Sequence, residues 1–503
     1  MKVDSIVIVG GGTAGYLTAL CIDKLLPHIK LTLIESPNIP IIGVGEATTP
    51  KIMYVLHDIL GVDIAEFHAK VAPTWKLGIK FLWGPPEKEF FNLPFGHMEP
   101  IHAHFLTGDI NNSSIVSNLM SNDLSPVIVD ETGNAKMISN RSFAYHIDNK
   151  NFVSFLKGLL KDSNVEYIQG EIESTQKNEQ GIKELITTSG QSLTADLFID
   201  CSGFHSILLG KSLATEYISY KSSLFTDSAV TATLANNGFV KPYTSAITMN
   251  SGWMWNIPLN DHDHLGYVYS SKYCGREGAI EEILKMHPSA EINPHTVTFK
   301  SGRYKSFIYQ NVVGIGNAYG FVEPLESTGL HMICFEILEL MKVLKEGTIT
   351  KKHKEQLDQL IGNQWDMLRW FLAIHYKFNT KIDSPFWHDC RSKVNISGVE
   401  QYLDHFMNFG PISFAKKNKI HHELSFDPIF SPVGFDAILL GQNVIPQWEE
   451  GMLSDSEVNY FNLGHTANKA FMQQAIPMNE ALEIAVKKTD LISLKGWFDH
   501  HNH

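Results

Sequence analysis

The order of apolar and polar positions divides the chain into elements before any chemistry is considered. Residues 5–9, Ser-Ile-Val-Ile-Val, form a β-branched run of the kind that fills a strand buried on both faces. Gly10, Gly11 and Gly12 end it, and Leu17, Leu20, Ile22 and Leu25 follow at helical spacing. A second apolar run at 30–34 predicts another strand and closes on Glu35. At 74–81 the pattern becomes strict alternation, with Trp75, Leu77, Ile79 and Phe81 on one face and Lys76, Gly78 and Lys80 on the other. By spacing alone this is an edge strand with a solvated lysine face. Residues 84–144 are rich in Pro, His, Phe and Asn with little period, which predicts an irregular insertion over a pocket. The spacing at 145–160 predicts a helix. Strands are expected near 165–168, 184–188 and 196–203, then through to about residue 306, including 229–233, 252–257 and 265–270. From Leu330 onward helical spacing prevails, with a long segment at 351–376.

One corner stands out within this pattern. A buried strand at 311–315 runs into the small residues Gly316, Asn317 and Ala318, then Glu323, Pro324, Glu326 and the triplet Ser327-Thr328-Gly329. An apolar helical pattern starts at once with Leu330, Ile333, Cys334, Ile337, Leu338 and Met341. A Ser/Thr/Gly turn opening a helix presents unpaired backbone N–H groups, which suits an anion. The plain alternative is a strand–loop–helix corner with Ser327 or Thr328 as its N-cap.

Composition narrows the class. The 503 residues allow two to three domains or one large enzyme body, and 44% apolar with 19% charged residues suits a globular chain with a large core. A net charge of −13 opposes a nucleic-acid partner or an anionic membrane. Cys21, Cys201, Cys274, Cys334 and Cys390 show no paired spacing, so reduced thiols in a cytoplasmic setting are expected, and no metal site. No window predicts a membrane span, and the His-rich end at 501–503 is expected to fray.

Specific chemistry enters with the first turn. Gly10, Gly12 and Gly15 form Gly-x-Gly-x-x-Gly between a strand and a helix, and Glu35 ends the next strand 20 residues beyond Gly15. The glycines permit a tight turn and close approach of a pyrophosphate to the helix N-terminus, and the acid suits a ribose hydroxyl. A second glycine-rich turn, 43–50, leads to another helix.

Three separated motifs together resemble the flavin-dependent halogenases, in particular the tryptophan-halogenase family: the Gly10 to Gly15 fingerprint, Trp253-Met-Trp-Asn-Ile-Pro258, and Phe321-Val-Glu-Pro-Leu-Glu-Ser-Thr-Gly329. The likeness runs from residue 1 to about 390 and is weaker near 440–446. It implies an α/β fold with α+β elements: an FAD-binding Rossmann-like βαβ core, a mixed β-sheet substrate subdomain and a helical C-terminal region, resembling single-component-fold FAD monooxygenases. The expected division is 1–345 as the FAD-binding and halogenation body, carrying the inserted segment about 84–144 and a sheet about 205–306. Residues 346–503 would form a mainly helical region covering the substrate pocket.

The resemblance implies an FADH2-dependent halogenase that uses O2 and chloride or bromide to form hypohalous acid and then halogenates an electron-rich, indole-like arene. Lys76 matches the family's catalytic lysine and Glu326 its catalytic glutamate. Thr328 and Gly329 match the halide site. FAD contacts carry over to Gly10, Gly12, Thr13, Ala14, Gly15, Glu35 and Ala47, with Gly316 and Asn317 near the ring and Ile172 on the adenine side. Trp253 and Trp255 share a strand face, and the family places them near the flavin, keeping substrate away. Implied partners are a small aromatic substrate and a separate flavin reductase, and a homo-oligomer is compatible with the likeness.

Where the family has His-Pro-Phe stacking on indole, this chain has Leu93-Pro94-Phe95, so Phe95 is retained as a substrate contact and the histidine is replaced. The tyrosine-rich segment that grips a free amino acid is not evident. A roomier apolar pocket is therefore expected. Two other readings compete: an FAD-dependent aromatic hydroxylase, which needs neither the tryptophan pair nor Lys76 and Glu326, and a non-catalytic flavin-binding accessory protein.

Overall fold

A computed structural model describes residues 1–39, 45–138, 143–414, 430–487 and 491–492. Gly43 and Val44 of the second glycine turn, and the terminal residues 501–503, lie outside these. The chain forms two compact units, each built from three separate stretches. The first comprises Met1–Val71, Ile147–Lys221 and Phe299–Asp366, and the second Ala72–His146, Ser222–Thr298 and Met367–His503.

The first unit is an α/β structure built on a mainly parallel sheet. Its six-stranded sheet runs Glu166–Gln169, Lys30–Glu35, Ser5–Val9, Leu197–Asp200, Val312–Gly314, Ile308–Tyr309, all parallel except the last pair. Ile6, Val7, Ile8 and Val9 are all buried, as an interior parallel strand requires. Helix Thr13–Leu25 packs against helices Asn149–Leu160 and Gly329–Leu344. At the end of Leu197–Asp200, the fully buried Asp200 carboxylate accepts hydrogen bonds from the Leu208 and Leu209 amides at 2.7 and 2.9 Å. That bracing holds the loop beside the Gly10 turn, where the Cys201 amide donates to the Val9 carbonyl.

The second unit is organised on a seven-stranded sheet: Glu291–Thr298, Ser228–Ala235, His262–Tyr269, Gly252–Pro258, Thr244–Met249, Gly78–Leu82, Phe91–Pro94. Only the Thr244–Met249 and Gly78–Leu82 pair is parallel. One face buries Val230, Met254, Leu265 and Tyr267 against Ala279 and Ile283 of helix Arg276–Met286. Trp83, Trp387, Tyr376 and Phe386 form a separate aromatic cluster, in which the Trp83 and Trp387 ring centroids lie 5.4 Å apart.

Several expected elements differ. The alternating run at 74–81 is not one edge strand. It breaks at Leu77 into Thr74–Lys76, paired with Ala144–Asp148, and Gly78–Leu82, which lies inside the large sheet. Neither lysine is solvated: Lys76 is fully buried and Lys80 is 7% exposed. Residues 145–148 are strand, because Ala144–Asp148 pairs with Thr74–Lys76, and the helix starts only after Asp148, whose carboxylate caps it by accepting from the Asn151 amide at 2.9 Å. The insertion at 84–144 is more regular than its composition suggests, with strand Phe91–Pro94, helices Pro100–Thr107 and Ile115–Ser121, and strands Leu124–Val129 and Ala135–Met137. Strand Ala475–Pro477 completes that last sheet from within the otherwise helical C-terminal stretch.

Candidate active site

In the first unit the glycine turn has the shape of a pyrophosphate cradle. Gly10 has φ +121°, and a β-carbon there would lie 2.3 Å from the Cys201 carbonyl oxygen. A β-carbon on Gly15 would lie 1.8 Å from the Gly10 oxygen, so the helix can follow the strand this closely only with glycine. Gly12 faces open space and is the N-cap of Thr13–Leu25 without a side-chain cap bond, which leaves the first amides of the helix, including Thr13 and Ala14, directed outward. The Thr13 hydroxyl is held by Asn149 Oδ1 at 3.2 Å.

Glu35 ends its strand as the fingerprint requires. Its Oε2 accepts from Tyr16 and Lys157 at 2.9 and 2.8 Å and also from Tyr167. Burial alone would raise its carboxyl, but the hydrogen bonds from Lys157, Tyr167 and Tyr16 outweigh it and hold the group below the usual range. Its other oxygen lies against Gly11, where a β-carbon would sit 2.6 Å from it. Together the turn and the carboxylate fit the adenosine diphosphate part of FAD.

At the far end of the sheet, Gly316 adopts φ +63° and its amide donates to Glu336 Oε2 at 2.7 Å, while the Trp365 indole donates to Glu336 Oε1 at 2.8 Å. Burial pushes the Glu336 carboxyl up to about 8 against the pull of these two bonds. Glu336 thus pins the Gly316 turn, next to which Asn317 is exposed. The turn Pro324–Glu326 then brings the chain into a left-handed Ser327 at φ 56°, and helix Gly329–Leu344 starts with Thr328 at its N-cap. Thr328 makes no side-chain cap bond, the buried Ser327 hydroxyl has no hydrogen-bond partner, and Gly329 faces open space. An uncapped helix start with an orphan hydroxyl is a fitting receptor for an anion. Glu323 and Glu326 are both buried. Ala47 ends strand Gly45–Ala47, and Ile172 opens strand Ile172–Asn178, each half-buried.

In the second unit the Lys76 ammonium lies 5.2 Å from the centroid of the Phe95 ring. Lys80 belongs elsewhere: it pairs with Asp123 at 3.4 Å and lies 4.4 and 4.1 Å from the Phe90 and Tyr243 rings. Register sharpens the contrast. Lys80 aligns with Ser245 and Asn256, on the Met254 face of the sheet, whereas Phe81 aligns with Ala246 and Trp255 on the opposite face. Trp253 and Trp255 lie 5.9 Å apart between ring centroids, and the Trp255 indole donates to His264 Nδ1 at 3.3 Å. Gly266, directly across from Trp255, makes room for it: a β-carbon there would sit 1.9 Å from the indole.

The first unit therefore gathers Gly10, Gly12, Thr13, Ala14, Gly15, Glu35, Ala47, Ile172, Gly316, Asn317, Glu326, Thr328 and Gly329, and the second gathers Lys76, Phe95, Trp253 and Trp255. Sequence reasoning missed Glu336, the Tyr16–Lys157–Tyr167 group around Glu35, and the 2.9 Å contact between Thr49 Oγ1 and His331 Nδ1. The one available signal was Glu336, a carboxylate placed within an otherwise apolar helix stretch.

The family model of tryptophan halogenase matches residues 5–456. The chain belongs to the tryptophan halogenase family. It is 30% identical over 433 residues to tryptophan 7-halogenase RebH of Lentzea aerocolonigenes, covering 80% of this chain and 82% of that protein. With tryptophan 7-halogenase KtzQ of Kutzneria sp. (strain 744) it shares 31% identity over 487 residues, 89% of this chain and 90% of the relative. Among solved structures, that of MibH, a lathipeptide tryptophan 5-halogenase, superposes with a TM-score of 0.88 at 36% identity, covering 97% of this chain and 95% of MibH. Xcc4156, a flavin-dependent halogenase from Xanthomonas campestris, gives 0.84 at 26% identity, with 96% and 98% covered. This protein is thus a flavin-dependent halogenase, and membership of the family implies use of FAD and halide. Among the described residues no helix is long and apolar enough to cross a membrane.

Proposed function

We propose that this halogenase takes FADH2 from a separate flavin reductase, uses chloride or bromide, and halogenates a small electron-rich arene of the indole class in the cytoplasm. The observation that carries the reading is a fully buried lysine ammonium 5.2 Å from an aromatic ring, Lys76 against Phe95. Lysine is rarely buried so completely outside a functional or paired setting. Relatives named as tryptophan 7-halogenases and a tryptophan 5-halogenase support the indole class.

Gly10, Gly12, Thr13, Ala14, Gly15, Glu35, Ala47 and Ile172 would hold the nucleotide, with Gly316 and Asn317 at the ring. Reduced FAD with oxygen supplies the oxidising equivalent that turns halide into hypohalous acid. The amides of Thr328 and Gly329 hold the halide, favoured by the helix N-terminus. The bulk of Trp253 and Trp255 keeps the arene from the oxidant's source. The Lys76 ammonium hydrogen-bonds the oxygen of hypohalous acid. As the ring carbon takes the halogen, the O–X bond breaks and the oxygen leaves as water with a proton from Lys76. Glu326 takes the ring proton, which restores aromaticity. Phe95 offers the arene a stacking partner.

The test is turnover with a reductase, FAD, oxygen and bromide over a panel of indoles, free tryptophan and tryptophan-containing peptides, read by mass spectrometry. A halogen isotope pattern in at least one product is expected. Hydroxylated product alone, or none, overturns the reading. Lys76→Ala is expected to keep FAD affinity and lose halogenation, and retained turnover would remove Lys76 from its role.

A further inference from the structure

The strand that carries Lys76, Thr74–Lys76, is only three residues long, yet its lysine must be held still. A side-chain hydrogen-bond chain in the second unit does this, and its polarity can be worked out. Thr74 Oγ1 lies 2.6 Å from the Pro258 carbonyl oxygen, which can only accept, so the single hydroxyl proton of Thr74 is committed there. His146 Nδ1 lies 3.1 Å from the same Oγ1 and must therefore donate to it. In a neutral imidazole the other nitrogen is then an acceptor, and Thr244 Oγ1, 2.9 Å from His146 Nε2, donates. The chain runs Thr244 to His146 to Thr74 to Pro258, and all four residues are buried. Burial, followed by the positive charge of Lys76, holds the imidazole well below its ordinary range, consistent with the neutral form that this polarity requires.

The ends of the chain matter for function. Pro258 closes the strand that carries Trp253 and Trp255, and Thr244 opens the strand parallel to Gly78–Leu82. His146 itself lies across from Thr74 in the register that sets Ala144 opposite Lys76. On the other side of Lys76, the Leu77 amide donates to the Pro242 carbonyl and the Leu77 carbonyl accepts from the Phe95 amide, both at 2.7 Å. Lys76 is thus clamped from both directions.

We propose that neutral His146, as its Nδ1–H tautomer, is a positioning residue that ties the Lys76 strand to the Thr244 strand and fixes the Thr74 hydroxyl on Pro258 of the Trp253–Trp255 strand, so that oxidised halogen passes to the arene rather than escaping. This rests on the role given to Lys76 above. Misplacing a reacting group by about 1 Å costs on the order of a hundredfold in rate, so a loosened clamp is read in where the halogen goes.

The experiment partitions the halogen. Thr74→Val keeps the shape of the side chain but strands both His146 Nδ1–H and the Pro258 carbonyl, Thr244→Val removes the donor at the other end, and Thr74→Ser restores the hydroxyl. Each variant is turned over with saturating arene and a β-diketone scavenger of hypohalous acid, with FAD affinity measured in parallel. Thr74→Val and Thr244→Val should keep FAD affinity and flavin consumption while the ratio of halogenated arene to halogenated scavenger falls by roughly ten- to a hundredfold; Thr74→Ser should recover it. If the valine variants partition halogen as the parent does, while Lys76→Ala abolishes arene halogenation, the positioning role of His146 fails and that of Lys76 stands. If Lys76→Ala itself halogenates normally, the underlying reading fails instead. Should one valine variant not fold, the other decides.

Discussion

Single side chains in this protein are distinguished by what surrounds them more than by their type. Lys76 and Lys80 share a face in the alternating sequence, yet one lies against Phe95 and the other is enclosed by Phe90, Tyr243 and Asp123. Burial is the main influence drawing the Lys80 ammonium down, and the Asp123 carboxylate opposes it. Lys80→Met should accordingly leave arene halogenation in place and cost about 1 kcal/mol of stability through the lost cation–π and ion-pair contacts. Product assays beside denaturant melts check this, and loss of halogenation in a folded Lys80→Met protein would transfer the chemistry to that lysine. Glu326→Gln keeps the size of the side chain but removes the base, so halogenation should fall by roughly 10²- to 10⁴-fold with FAD affinity unchanged. A variant that turns over at the parental rate would leave Glu326 a structural residue.

Elements position these side chains through close approaches that tolerate little change. The Gly-x-Gly-x-x-Gly turn was legible because strand, turn, helix and acid follow one another locally, and each glycine corresponds to a tight contact or an open cradle. The break at Leu77 was not legible. Alternation continues through it, and only the hydrogen bonds to Pro242 and Phe95 reveal that the chain changes sheets. The Trp253–Trp255 strand depends in the same way on a neighbour distant in sequence, since Trp255 fits only because Gly266 lies opposite. Gly266→Ala should force the indole aside and destabilise the protein by about 1–3 kcal/mol. An unchanged melting temperature together with unchanged Trp fluorescence would show that the sheet absorbs the extra carbon.

At the scale of the whole molecule, buried titratable groups set how stability responds to pH. Burial raises the carboxyls of Glu336 to about 8 and Asp436 to about 7, from ordinary values of 4.5 and 3.8. The folded state then binds more protons than the unfolded chain between those limits, so these groups lower stability as pH rises through that window. His146 and His68 act oppositely: burial lowers both, His68 to about 4, and the folded state loses stability as pH falls below about 6.5. Between pH 6.5 and 8 the raised carboxyls pull stability down as pH rises, and the slope of that decline should shrink in Glu336→Gln. Denaturant melts at the two pH values measure it, and a flat profile would contradict the burial of these acids. The sequence by itself determined the FAD-type α/β core and the halogenase family, because their signals are short runs with strong local geometry: a β-branched strand into glycines, an acid ending the next strand, a Trp-x-Trp strand, a Ser-Thr-Gly helix start. Tertiary structure alone decided that the chain weaves through two units in three stretches each, that Lys76 lies against Phe95 while Lys80 pairs with Asp123 between Phe90 and Tyr243, that Glu336 pins the Gly316 turn, and that Thr74 bonds the Pro258 carbonyl while His146 bridges Thr74 and Thr244. Those features join residues far apart in the chain through hydrogen bonds and packing, and no periodicity in one segment records which distant segment it will meet.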